Sequence, residues 1–236
     1  MTKKIIIANW KANKPFDSAL AWVSDHYNDL AALAQTHTLV LCPDFVTIAG
    51  LKKIAPNTVH IGAQDCSEHE IGPWTGQVPA LSLAQAGCTL CIIGHTETQK
   101  LYPQSTELLI KKTYILWHNN IIPIICVSTH QQAQQLCQQL AQKKLEKQEL
   151  IIAFEPKEAI GAQSLAPEKI KEVIYLIQEQ AQLLLPQISC RILYGGGVHE
   201  KNISELAAID TIDGFLVGSA SLDFQKLKKI VLSLKK

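Results

Sequence analysis

Ile121-Ile122-Pro123-Ile124-Ile125-Cys126-Val127 is a seven-residue apolar run, followed downstream by the five-residue run Leu150-Ile151-Ile152-Ala153-Phe154. Nearly continuous apolar runs of this length, without polar alternation, are the pattern of strands covered on both faces. Between the two, residues 130–148 are rich in glutamine. Ala133, Leu136, Cys137, Leu140 and Ala141 nevertheless recur there at helical spacing. That predicts an amphipathic surface helix with a polar outer face rather than a low-complexity tract.

The same strand–helix–strand unit repeats outward in both directions. Further short apolar runs are Ile5-Ile6-Ile7, Leu39-Val40-Leu41, Val59-His60-Ile61, Cys91-Ile92-Ile93, Ile192-Leu193-Tyr194 and Phe215-Leu216-Val217. The clearest helix is 167–185, where Ile170, Val173, Ile174, Ile177, Ala181 and Leu184 fall on one face, with Pro167 suited to the first turn and Pro186 to the end. Eight such strands in 236 residues predict an α/β closed (β/α)8 barrel, eight parallel strands ringed by helices. The rival is an open doubly wound sheet. No G-x-G-x-x-G follows the first run, where such a sheet would bind a dinucleotide. With no linker-like stretch and no break in composition, one domain over 1–236 is expected.

Lys plus Arg number 22 and Asp plus Glu 21, so there is no global basic field to draw nucleic acid or an anionic membrane surface. An anion must be held by a local site. The seven cysteines are odd in number and several lie inside apolar runs, which fits a reducing compartment better than a disulfide framework. The longest apolar run is far too short to span a bilayer, and the four-residue run before Asn9 is too short for a signal peptide. The expectation is a soluble, cytoplasmic protein with no membrane and no nucleic-acid partner.

In a closed barrel the active site lies at the C-terminal ends of the strands. After the first run come Asn9-Trp10-Lys11, after the fourth Gly94-His95-Thr96-Glu97, after the sixth Glu155-Pro156, after the seventh Gly195-Gly196-Gly197 and after the eighth Gly218-Ser219. Alone, each has a duller reading: a solvated lysine, a structural histidine, a strand end, a turn. Together they place a cation, an imidazole, a carboxylate and two glycine turns on one rim. The turns fall at strands seven and eight, where barrels frequently bind phosphate through backbone N–H groups.

These residues carry a resemblance. Asn9-Trp10-Lys11-Ala12-Asn13, Gly62-Ala63-Gln64, Ile93-Gly94-His95-Thr96-Glu97, Ala153-Phe154-Glu155-Pro156, Ala159-Ile160-Gly161, Tyr194-Gly195-Gly196 and Asp213-Gly214-Phe215-Leu216-Val217-Gly218 stand in the order and spacing of the triosephosphate isomerase family. From Lys4 to about Leu222 the chain resembles that family, which implies a TIM barrel that interconverts dihydroxyacetone phosphate and D-glyceraldehyde 3-phosphate. The resemblance implies Glu155 as the base, His95 as the electrophile and proton shuttle, and Lys11 as the cation on the enediolate and phosphate. This family is the reference case of a glutamate base beside a neutral histidine at a helix N-terminus, so the neutrality of His95 comes with the resemblance. It further implies Asn9, Lys11, Gly161, Gly197, Gly218 and Ser219 as substrate contacts and 156–166 as a closing lid. It also implies a homodimer through 65–79, the segment that enters a partner subunit. No metal or organic cofactor is expected. Glu97 either pairs with Lys11 or is an ordinary carboxylate at a helix start.

Several positions depart from the family pattern. Thr98 and Gln99 stand where two arginines are usual, and Gln104 where a glutamate is usual, so acid and base change together. The lid hinge reads Pro156-Lys157-Glu158, Gln163 replaces the lid's second glycine, and Gly197 replaces a serine whose hydroxyl helps latch the lid. The expected consequence is intact chemistry with altered lid behaviour. The alternatives are a catalytically weakened homologue that binds phosphorylated trioses, and another phosphosugar enzyme on the same fold. Cys88-Thr89-Leu90-Cys91 runs into a strand, and both it and Cys126 are read as core thiols rather than redox or nucleophilic groups.

Overall fold

A computed structural model describes residues 3–143, 147–157 and 165–234. The strands are β1 (Ile5–Asn9), β2 (Thr38–Cys42), β3 (His60–Ala63), β4 (Cys88–Ile93), β5 (Ile122–Val127), β6 (Gln148–Phe154), β7 (Ile188–Tyr194) and β8 (Gly214–Val217). Each pairs in parallel with the next, and β8 pairs with β1, so the sheet closes into a barrel in sequence order. The registers Ile7↔Val40 and Ile7↔Leu216 hold β1 between its neighbours. Closure is tight where β8 begins: a Cβ on Gly214 would stand 2.0 Å from the carbonyl oxygen of Ile5, so no side chain fits there.

Strand pleating splits the apolar residues into two layers. Ile7, Val40, Ile92, Ile124, Ile151 and Leu216 fill the barrel interior. Alternate positions such as Ile6, Leu41, Ile93, Ile125 and Ile152 face the helical ring. Both faces are therefore buried, the physical reason the strands read as unbroken apolar runs.

The helices are α1 (Phe16–Asp25), α2 (Tyr27–Thr36), α3 (Ile48–Ile54), α4 (Ala80–Gln85), α5 (Thr96–Leu101), α6 (Thr106–His118), α7 (His130–Ala141), α8 (Pro167–Leu184), α9 (Ile203–Ala207) and α10 (Phe224–Ser233). Helix α8 has Pro167 in its first turn and buries Ile170, Val173, Ile174, Ile177 and Ala181 of the predicted stripe, while Leu184 in its last turn is only partly buried. The helix predicted over 130–148 is shorter: α7 stops at Ala141, and Gln148 already belongs to β6. Its start is fixed by Thr129, whose hydroxyl accepts the N–H of Gln132 at 3.2 Å. Cys88 and Cys91 both lie in β4 and are buried, and Cys126 is buried at the end of β5. Burial, reinforced by the neighbouring Glu155 carboxylate, pushes the Cys126 thiol well up, so it stays neutral and non-nucleophilic.

Candidate active site

The C-terminal rim of the barrel surrounds a pocket of about 540 Å³. Its walls include Lys11, Asn13, His95, Glu97, Glu155, Gly195, Gly197, His199, Gly218 and Ser219. Lysine, imidazole, carboxylate and glycine turns thus meet in one cavity. Gly161 and the lid positions 158–164 lie outside the described residues.

Lys11 follows β1 with a backbone φ of +53°. A non-glycine residue in this left-handed conformation is uncommon and costs on the order of 1 kcal/mol, so the surroundings must enforce it. They do so through its backbone. Asn9 Oδ1 accepts the N–H of Lys11 at 3.1 Å. Gln64, just past β3, donates its Nε2 to the carbonyl of Lys11 at 2.8 Å and to that of Cys42 at 2.9 Å. The three consecutive strands β1, β2 and β3 therefore meet at one amide group. Asn9 itself is buried behind Lys11, with its oxygen committed to that N–H. The Lys11 ammonium donates to Glu97 Oε1 at 2.6 Å, the pairing that sequence left open against an ordinary helix-start carboxylate.

His95 is the N-cap of α5. Its Nδ1 accepts the backbone N–H of Glu97 at 3.2 Å. A ring nitrogen that accepts carries no proton, so the hydrogen sits on Nε2 and the imidazole is neutral. Nε2 faces Glu155 Oε1 at 3.1 Å. Glu155 is buried, and its other oxygen lies 3.2 Å from the hydroxyl of Thr96, which donates to it, and 3.5 Å from the Thr96 N–H. The carboxylate is thus parked against the start of α5. Space for it comes from Gly195: a Cβ there would stand 2.9 Å from Glu155 Cγ.

Gly218 follows β8 and leads into a 3-10 turn over Ser219–Leu222. A Cβ on Gly218 would approach the Lys11 ammonium to 3.8 Å, which sets this glycine turn beside the cation. Across the pocket, Gly197 has φ +60°, and its carbonyl accepts from Asn202 Nδ2 at 3.0 Å. Restoring the missing hydroxyl there is not a free gain. A serine forced to positive φ costs roughly 1–2 kcal/mol, which matches or exceeds the roughly 0.5–1.5 kcal/mol of a latch hydrogen bond. Gly197→Ser is expected to lower the melting temperature by about 2–4 °C per kcal/mol lost and to leave affinity for a transition-state analogue unimproved. Thermal melts read beside inhibition constants check this. Burial pushes the Tyr194 phenol up to about 12, so it stays protonated.

Sequence reasoning assigned no role to Gln64, Thr96 or His199. Thr96 and Gln64 stand inside motifs at strand ends, and that position was the available signal. His199 gave none, since it follows a turn whose path sequence does not define.

A family model described as Triosephosphate isomerase matches residues 4–234. Among curated relatives, the chain is 32% identical to a triosephosphate isomerase of Nitrosococcus oceani, with 98% of each chain covered. It is 31% identical to one of Aquifex aeolicus, covering 98% of this chain and 99% of the relative. It is 33% identical to one of Mycobacterium avium, covering 94% and 92%.

Proposed function

The chain belongs to the triosephosphate isomerase family, and from that premise we propose that Glu155, His95, Lys11 and Asn9 carry the interconversion of dihydroxyacetone phosphate and D-glyceraldehyde 3-phosphate. The observation that carries this reading is the 3.1 Å approach of His95 Nε2 to Glu155 Oε1, with Lys11 on the same pocket wall. An acid–base pair so placed can act on adjacent atoms of one small substrate.

The chemistry follows from the groups. Glu155 leaves Thr96, and its carboxylate removes a proton from the carbon beside the carbonyl. His95 donates its Nε2 hydrogen to the carbonyl oxygen as negative charge develops there, then recovers a proton from the neighbouring hydroxyl. Glu155 returns its proton to the other carbon, which completes the exchange of aldehyde and ketone. A neutral donor suits this work because it can both give and take a proton at an enediolate; the family is the established example. Lys11 stabilises the enediolate and the phosphate dianion. The backbone N–H groups around Gly197, Gly218 and Ser219 hold the phosphate, joined by Gly161 from the lid. No step calls for a metal or organic cofactor.

The same reading includes a single TIM-barrel domain over 1–236 and a homodimer built through 65–79. Val46, Ile71, Leu101 and Tyr102 are 77%, 68%, 74% and 71% exposed, large apolar groups in and beside that segment's surroundings. Such groups in solvent favour an interface. No described helix is long and apolar enough to cross a membrane. A cytoplasmic location is supported by seven free thiols.

The rival, a homologue that binds trioses with little turnover, is separated by a coupled isomerase assay on the purified chain. Turnover in the range of ordinary enzymes, about 1–10³ per second or above, is expected. Binding of a phosphorylated triose without turnover would favour the rival.

A further inference from the structure

Lys112, in the middle of α6, is only 5% exposed. Burying an ammonium costs several kcal/mol unless it is closely paired, so a lysine in this position demands a partner. Its partner is distant in sequence: Nζ donates to Asp65 Oδ1 at 2.7 Å. Asp65 opens the segment 65–79, immediately after Gln64. Its Oδ1 also accepts the N–H of Cys66 at 2.8 Å, and its Oδ2 accepts from Gln104 Nε2 at 3.4 Å. Gln104 in turn is locked to Gln99 of α5 by two bonds, Gln104 N to Gln99 Oε1 at 2.7 Å and Gln99 Nε2 to Gln104 O at 3.2 Å. One carboxylate thus ties the root of the segment to α6 and to the turn between α5 and α6. The departures at 99 and 104 therefore do not leave this region without charge. Two glutamines bridge the turn, and the buried ion pair is carried by Asp65 and Lys112.

We propose that the Asp65–Lys112 pair is a positioning device: it fixes segment 65–79 in the conformation that a second copy of this chain receives, so dimer assembly depends on it beyond any effect on folding. The inference rests on the homodimer reading above. Ion pairing suits this task because it is directional. An apolar contact of the same volume would hold the fold as well, but it would not orient the first carboxylate of a segment whose far end, at Ile71 and Trp74, is exposed.

The two roles separate in a pair of single variants and their double. Asp65→Asn strands the buried ammonium and Lys112→Met leaves the half-buried carboxylate without its cation, so each should lower the melting temperature, the first more than the second. Asp65→Asn with Lys112→Met removes both charges and should recover most of that loss. The dimer dissociation constant, measured by analytical ultracentrifugation, should instead remain raised by about tenfold or more in the double. Specific activity at limiting dilution should fall with it. A double variant that regains native dissociation together with native melting overturns the proposal and leaves a purely structural pair. If either single variant fails to fold, the double alone decides. A native chain that sediments as a monomer at micromolar concentration overturns the homodimer reading and the positioning role with it. A dimeric native chain whose double variant dissociates normally overturns the positioning role alone.

Discussion

Lys11→Met is expected to fold, yet to lose isomerase activity by about 10³-fold or more, the scale of removing a preorganised charge from a developing oxyanion. Folding survives because the partner left behind is not buried: the Glu97 side chain is 47% exposed and simply returns to solvent. Methionine also keeps the length of the stem, so the pocket wall changes in charge more than in shape. Activity does not survive because Lys11 is the only lysine or arginine among the described residues lining the pocket. With the protein's net charge near neutrality, no wider field replaces it. Binding of phosphoglycolate, a small dianion, should weaken in step, read as a lost ligand-induced rise in melting temperature. A variant that keeps the native ligand-induced shift would remove Lys11 from the phosphate site.

Glu155→Asp is expected to fold, with a modest fall in melting temperature from the lost buried contact, and to cost about 100-fold in kcat. Aspartate keeps the charge and the buried neighbours but withdraws the carboxylate by one methylene, about 1 Å or so, the displacement for which losses of that size are typical. In the parked state one oxygen faces His95 and the other accepts from Thr96, and a shorter side chain cannot hold both. The loss should fall mainly on kcat, since the phosphate contacts proposed above lie elsewhere in the pocket. Near-native turnover in this variant would mean that Glu155 is not the base.

The barrel was legible because its strands are buried on two faces and carry no polar alternation. Where that condition lapses, the sequence misleads. β7 begins at Ile188 and not at Ile192, because Ser189, Cys190 and Arg191 are incompletely buried and break the apolar run. The same holds at the start of β6, where Gln148 reads as the tail of the preceding helix and Glu149 falls outside the apolar run. At the candidate site, Lys11, His95 and Glu155 drew attention because each stands within two residues of a strand end on one rim of the barrel. What could not be read is what holds them. The left-handed backbone of Lys11 depends on Gln64 reaching across β2, and the room for Glu155 depends on a missing Cβ on the next strand. Asp65 and Lys112 lie 47 residues apart with no periodicity to link them. Strand register and helix packing bring such pairs together, and neither follows from local spacing.

Proton transfer through Glu155 is tested most directly by the isotope content of product formed in D2O. Dihydroxyacetone phosphate is turned over by the native protein, and D-glyceraldehyde 3-phosphate is trapped by a coupling enzyme as it forms. A carboxylic acid that holds the abstracted proton exchanges it with solvent before giving it back. A substantial share of the trapped product should therefore carry deuterium at C2. Product with only protium at C2, together with native turnover in Glu155→Gln, would contradict Glu155 as the base.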